Sequence, residues 1–185
     1  SGDEIITTPV TDIGTVQGIL LQNLIPVFAD WDPDTFNSDP QDIERRITNR
    51  TGAILVVHLF GNPCDMDEIL DIGRRHNLPV IEDCAQAHLA EYKGKLVGTM
   101  GEMGCFSLGG KMMTTGQGGM IITNNEPLAR RAKGHSHKGS EYDEELRESL
   151  RPTTEGKGTE QGYSFLGDFH TMSDLQGAIG LAQIQ

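Results

Sequence analysis

The stretch "GAILVVHLFGNPCDMDEILDIGRRHNLPVIEDCAQAH", residues 52–88, decides the fold class. Its first part, "GAILVVHLF", is a nearly unbroken apolar run, which suits a strand buried on both faces. "DMDEILDIGRRHN" then reads as an amphipathic helix. "LPVIED" returns to a strand. A strand, a helix and a second apolar strand in succession are the signature of a mostly parallel sheet.

The same alternation extends in both directions. Before it, "DEIITTPV" reads as a strand. "DIGTVQGILLQN" has helical spacing through Ile13, Val16, Ile19 and Leu20, and "IPVFAD" is a short strand. "DPQDIERRIT" reads as a helix, with Asp39 as cap and Pro40 at its first position. After it, "GCFSL" and "GGMIITN" read as strands and "NEPLARRAK" as a helix. Residues 134–165 are polar and irregular. "TMSDLQGAIGLAQIQ" has helical spacing with Ser173 as cap. The expected fold is therefore α/β, a mostly parallel sheet with helices on both faces. In such sheets ligands bind at the carboxyl ends of the strands. That singles out Asp30, His58, Asp83, Ser107 and Asn124.

Composition narrows the function. The 185 residues carry a net charge of -12, with 36% hydrophobic and 23% charged residues. A chain so acidic is not expected to bind nucleic acid, because phosphate contacts need a basic patch. No apolar run approaches the roughly 20 residues that span a bilayer. The first residues lack the basic and apolar regions of a signal peptide. Cys64, Cys84 and Cys105 are odd in number and have no zinc-like spacing, which fits reduced thiols in a cytoplasmic protein. Cys64 and Cys84 are expected to be packing residues, and His58 a satisfied core histidine. His135 and His137 in "GHSHKG" lack a second ligand cluster, so they are expected to lie in a solvated loop. No metal site is expected.

"CFSLGGKMMTTGQGG", residues 105–119, nearly spells a phosphate loop. That motif requires G-x-x-x-x-G-K-[ST]. Here Cys105 stands where its first glycine belongs and Met112 where its hydroxyl belongs. The dinucleotide fingerprint G-x-G-x-x-G is also absent, which argues against a nucleotide-binding Rossmann protein. A different chemistry fits better. Asp83 at one strand end and Lys111 after another suit pyridoxal phosphate. A lysine amine forms a Schiff base with the cofactor aldehyde. A carboxylate on the pyridine nitrogen keeps it protonated, and the protonated ring acts as an electron sink. Lys111 then carries protons as general base and acid. Ser107 would bond the phosphate and Gln86 the ring edge, with His88 just beyond. Each residue also has a plainer reading. Lys111 is then a solvated charge, Asp83 a cap for the segment after it, Ser107 an ordinary hydroxyl, and Gly116, Gly118 and Gly119 a turn.

Several longer segments carry a resemblance. "GDEIITTPVTDIGT", "IPVFADWDPDTFN", "RITNRTGAILVVHLFGNPCDMDEI", "LPVIEDCAQAH", "YKGKLVGTMGEMGCFS", "TTGQGGMIITN" and "MSDLQGAIGLAQI" together resemble the DegT/DnrJ/StrS family of PLP-dependent sugar aminotransferases. The resemblance implies the three-layer large domain of the type I PLP-transferase fold. It puts the Schiff-base lysine at Lys111, the pyridinium aspartate at Asp83, the ring-contacting glutamine at Gln86 and the phosphate serine at Ser107. It implies amino transfer from glutamate or glutamine to a nucleotide-linked keto-sugar, and a homodimer. Residues 1–185 would be a partial large domain, without the family's N-terminal segment and C-terminal small domain. Three further departures stand out. Ser107 and Lys111 are four steps apart where the family usually has five. Thr11-Asp12 replaces a "TF" pair whose aromatic ring covers the cofactor. "FHTM", residues 169–172, replaces "NYRM" or "NFKM". A truncated, catalytically silent binding or assembly module is the alternative these departures raise.

Overall fold

The computed structural model describes residues 2–137 and 170–184. They form two compact units, residues 1–122 with 175–185, and residues 123–174.

The first unit is built on a six-stranded sheet. In chain order its elements begin with β1 (Glu4–Thr7), α1 (Ile13–Leu21), β2 (Ile25–Phe28) and α2 (Pro40–Arg45). They continue with β3 (Thr51–Val57), a 3-10 turn (Leu59–Gly61), α3 (Met66–His76) and β4 (Val80–Asp83). A small hairpin of β5 (Glu91–Tyr92) and β6 (Lys95–Leu96) precedes β7 (Met103–Gly109) and β8 (Thr114–Ile122). The sheet order is β2-β1-β3-β4-β7-β8. All neighbours run parallel except β7 and β8. The second unit holds α4 (Glu126–Ser136), capped by the Asn125 side chain on Leu128 N–H. The last helix, α5, is Asp174–Gln183.

Alternation along the strands sorts the core into two faces. Ile6, Ile54, Val56 and Val80 pack with Ile43 of α2 and with Met66, Ile69 and Ile72 of α3. Their chain neighbours Ile5, Ala53, Leu55 and Ile81 face the other way and pack with Ile19 of α1. The sheet is therefore the middle of three layers, as the unbroken apolar runs predict. The Asp39 cap falls where the sequence puts it, accepting a bond from Gln41 N–H with Pro40 in the first turn. A cap the sequence reading did not single out is Asp12, which accepts from Gly14 N–H.

Four features differ from the sequence reading. The hairpin Glu91–Leu96 has strands of only two residues, too short to show a period. Gly116, Gly118 and Gly119 do not form a turn; they lie inside β8, which starts at Thr114. Because β8 is antiparallel, Ile122 pairs with Gly104 at the amino end of β7. Asn124 therefore follows the opposite edge of the sheet and drops out as a carboxyl-end candidate. His135 belongs to the last turn of α4 rather than to a loop, with His137 as its cap.

One buried carboxylate ties the centre together. Glu82 is fully buried in β4. Its Oε1 accepts from Met100 N–H and Gly101 N–H at 2.8 and 2.6 Å. Its Oε2 accepts from Gly98 N–H at 2.7 Å and lies 3.0 Å from His58 Nε2. Cys64 N–H donates to His58 Nδ1, so the ring proton sits on Nε2 and points at Glu82. Burial alone would raise the Glu82 pKa. The bonds from His58 and from Gly101, Gly98 and Met100 outweigh it and hold the carboxyl below its ordinary range. His58 is thus the satisfied core histidine expected from the sequence.

The turn that feeds Glu82 is packed backbone on backbone. A Cβ at Gly104 would stand 2.4 Å from the Gly98 carbonyl oxygen. Gly104→Ala is expected to cost about 2–3 kcal/mol in urea unfolding, the range for overpacking a core. Glu82 gives a second expectation. A carboxyl whose folded pKa is depressed stabilises the fold fully above its unfolded value of about 4.3. That contribution is lost as pH falls through the lower folded value. Glu82→Gln should therefore cost about 3 kcal/mol at pH 7. In unfolding curves taken at successively lower pH, the gap to the parent protein should narrow below about pH 4.3.

Candidate active site

A cleft of about 400 Å³ opens at the carboxyl ends of β3, β4 and β7, on the face of the sheet that carries α1. Its floor is alternate residues of three adjacent strands. Val57, Asp83 and Cys105 are in register, with Leu55, Ile81 and Ser107 around them. The N-terminal turn of α1 forms one wall through Thr11, Asp12 and Thr15. Gln86 and Lys111 complete the polar lining. The four residues singled out from sequence, Asp83, Gln86, Ser107 and Lys111, thus border one cavity. Asp30 and His58 do not. Asp30 sits beside α2, where its N–H donates to Asp42.

Each side chain is held by identifiable contacts. Asp83 ends β4, and alternation turns it to the cleft while Glu82 turns to the core. Its Oδ1 accepts from Ala85 N–H at 3.0 Å, so it does cap the segment that follows. Its Oδ2 accepts from the Thr15 hydroxyl at 2.7 Å. Gln86 Oε1 accepts from Phe60 N–H at 3.0 Å. That bond holds Phe60 in the left-handed region, at φ 53°. It also leaves the Gln86 NH2 as the end with protons to offer. Ser107 lies within β7, two residues before its end, and its Oγ accepts from Gly109 N–H. His88 does not line the cleft; its ring meets Phe106 edge-on, with centroids 5.4 Å apart. Burial pushes the His88 pKa down, so the ring is neutral near pH 7.

Lys111 follows β7 in the connection to β8, and the four-step spacing from Ser107 still brings it to the cleft wall. Its Nζ is 3.9 Å from Asp12 Oδ2. The same carboxylate caps α1 through Oδ1 on Gly14 N–H, at 2.8 Å. Asp12 therefore places a negative charge on the cleft, at the position where Thr11-Asp12 departs from the "TF" pair. Of "FHTM", Phe169 lies outside the described residues, as does most of the irregular segment before it.

Cys64 and Cys84 are buried free thiols, and Cys105 is a third free thiol. Burial pushes the thiols of Cys64 and Cys105 up to about 12 and about 11, and raises Cys84 further. Among the described residues, His58, Glu82 and Cys84 bring metal-ligand atoms within 4.8 Å of one another. Their hydrogen bonds are already complete, with four donors on Glu82 and Cys64 N–H on His58.

A model described as the DegT/DnrJ/EryC1/StrS aminotransferase family matches residues 1–185. GDP-perosamine synthase of Escherichia coli O157:H7 is 38% identical over 185 residues, covering 100% of this chain and 47% of that protein. L-glutamine:2-deoxy-scyllo-inosose aminotransferase of Micromonospora echinospora is 38% identical, covering 100% of this chain and 43% of its own length. Among solved structures, an aminotransferase from Psychrobacter cryohalolentis superposes with a TM-score of 0.90 at 39% identity, over 100% of this chain and 46% of that one. DesI, solved in the presence of its TDP-sugar product, gives 0.83 at 29% identity, over 99% and 43%. The chain spans a little under half the length of these proteins.

The two roles of Asp12 separate experimentally. Asp12→Ala should lower stability by about 1 kcal/mol through loss of the cap. Asp12→Asn, which keeps a capping oxygen but no charge, should stay within about 0.5 kcal/mol of the parent. Thermal unfolding of both variants checks this.

Proposed function

The chain belongs to the DegT/DnrJ/EryC1/StrS aminotransferase family, and on that premise we propose that it forms the cofactor-binding part of a PLP-dependent aminotransferase. The observation that carries the reading is the convergence of Lys111 and Asp83, distant in sequence, on one cleft with Gln86 and Ser107. Relatives that are aminotransferases disfavour the silent-module alternative. We take residues 1–185 to be a partial large domain of such an enzyme.

The cleft suits the cofactor in size and lining. Its volume is within the range of small-molecule sites. Leu55, Val57 and Ile81 offer apolar surface for a flat ring, and an amine, a carboxylate, a carboxamide and a hydroxyl stand around them. When bound, pyridoxal phosphate supplies an aldehyde for the amine and a ring that withdraws electrons from the reacting carbon. Asp83, already oriented by Thr15 and Ala85, would keep a proton on the ring nitrogen. Lys111 would carry the proton that leaves and returns at the reacting carbon. Gln86 would donate its NH2 to the ring hydroxyl, and Ser107 would donate its hydroxyl to the phosphate.

The proposed reaction moves an amino group from glutamate or glutamine to a keto-sugar, nucleotide-linked in our reading, in two half-reactions. The similarity to a GDP-perosamine synthase and to an L-glutamine:2-deoxy-scyllo-inosose aminotransferase supports this acceptor class. A homodimer in a reducing cytoplasm completes the proposal, and the free thiols accord with that compartment.

Adding pyridoxal phosphate to the purified protein should produce an absorbance band in the visible or near-ultraviolet, absent in Lys111→Ala. Glutamate or glutamine should then discharge that band. Asp83→Asn should lower amino transfer by at least about 100-fold. A parent protein that gains no band from the cofactor would refute the assignment.

A further inference from the structure

Asp83 is reached from a second element that the family motifs do not single out. Thr15 lies in the first turn of α1, and its hydroxyl donates to Asp83 Oδ2 at 2.7 Å, across 68 residues of sequence. A threonine in a helix commonly turns its hydroxyl back to the carbonyl four residues earlier. Thr15 instead gives its one proton to the carboxylate. Its oxygen is then left to accept, and the Thr11 hydroxyl stands 2.8 Å away. The direction of the chain follows: Thr11 donates to Thr15, and Thr15 donates to Asp83. Hydrogen bonds in series strengthen one another where water is partly excluded, and both threonines are half-buried. With Ala85 N–H on Oδ1, the carboxylate is gripped from both sides.

We propose that Thr15, backed by Thr11, is the positioning residue of Asp83, setting the plane of its carboxylate toward the ligand in the cleft. This rests on the cofactor reading above. Thr15 need not touch the cofactor; it acts by removing the freedom of Asp83 to rotate. A bond from a hydroxyl to a charged acceptor is among the stronger ones, and its loss should be read as weaker cofactor binding.

The test is a titration of the purified protein with pyridoxal phosphate, followed by absorbance, alongside thermal unfolding. Thr15→Val, which keeps the shape and removes the donor, should weaken binding about tenfold. Thr15→Ser should return it to within about twofold of the parent, and Thr11→Val should cost about threefold. In an Asp83→Asn background, Thr15→Val should change the affinity less than about twofold, because the group it positions is gone. Equal binding by Thr15→Val and the parent overturns the inference while leaving the cofactor reading in place. So does an equal loss in both backgrounds, which would mean a general structural role. A parent protein that binds no pyridoxal phosphate overturns the inference and the cofactor reading together. If Thr15→Val does not fold, Thr11→Val carries the comparison: its loss should appear in the parent and vanish in the Asp83→Asn background, and equal binding by Thr11→Val and the parent overturns the inference.

Discussion

The buried carboxylate of Glu82 is the constraint on which the centre of the molecule depends. A charge taken out of water is tolerated only when its lone pairs are satisfied. Here three backbone N–H groups from residues 98–101 and the ring of His58 satisfy them. His58 in turn holds the loop at Cys64. One side chain thereby fixes the end of β3, the end of β4 and the turn that leads into β7. Those are the strand ends that floor the cleft. Since successive residues of a strand face opposite ways, anchoring Glu82 on one face also sets the height and direction of Asp83 on the other.

The cleft itself is assembled from parts with little in common along the chain. Strand ends supply Asp83 and Ser107, a strand-to-strand connection supplies Lys111, and the N-terminal turn of α1 supplies Asp12 and Thr15. That turn contacts both chemical poles, the acid through Thr15 and the amine through Asp12. The apolar contact of Ile19 with Ile5 and Ala53 seats the helix on the sheet. Hydrophobic packing therefore provides the position, and hydrogen bonds provide the orientation.

Much of this was legible in the residues because the strands are buried on both faces. Burial demands unbroken apolar runs, and "ILVV" and "PVIED" announce themselves. Caps were legible for a similar reason: Asp39 followed by Pro40 has few other uses. The candidate residues were legible through motif spacing, and all four border the cleft. What was hidden depends on contacts with no local pattern. A two-residue strand has no period, so the hairpin at Glu91–Leu96 left no trace. Glycines at 116, 118 and 119 imitate a turn, yet pairing with β7 extends a strand through them. The antiparallel sense of β8 comes from a tight reversal around Gly110, which an apolar run cannot report. The role of Glu82 has no signal in the sequence, because its partners are mostly backbone N–H groups, which every sequence has. Thr15 lay in a helix with nothing to mark its reach to Asp83.

Asp12 divides its two oxygens between different neighbours, Gly14 on the helix and Lys111 across the cleft. The winding of the helix and the charge beside the amine are therefore coupled through one side chain, so a change that removed both oxygens would disturb the scaffold and the amine's surroundings together.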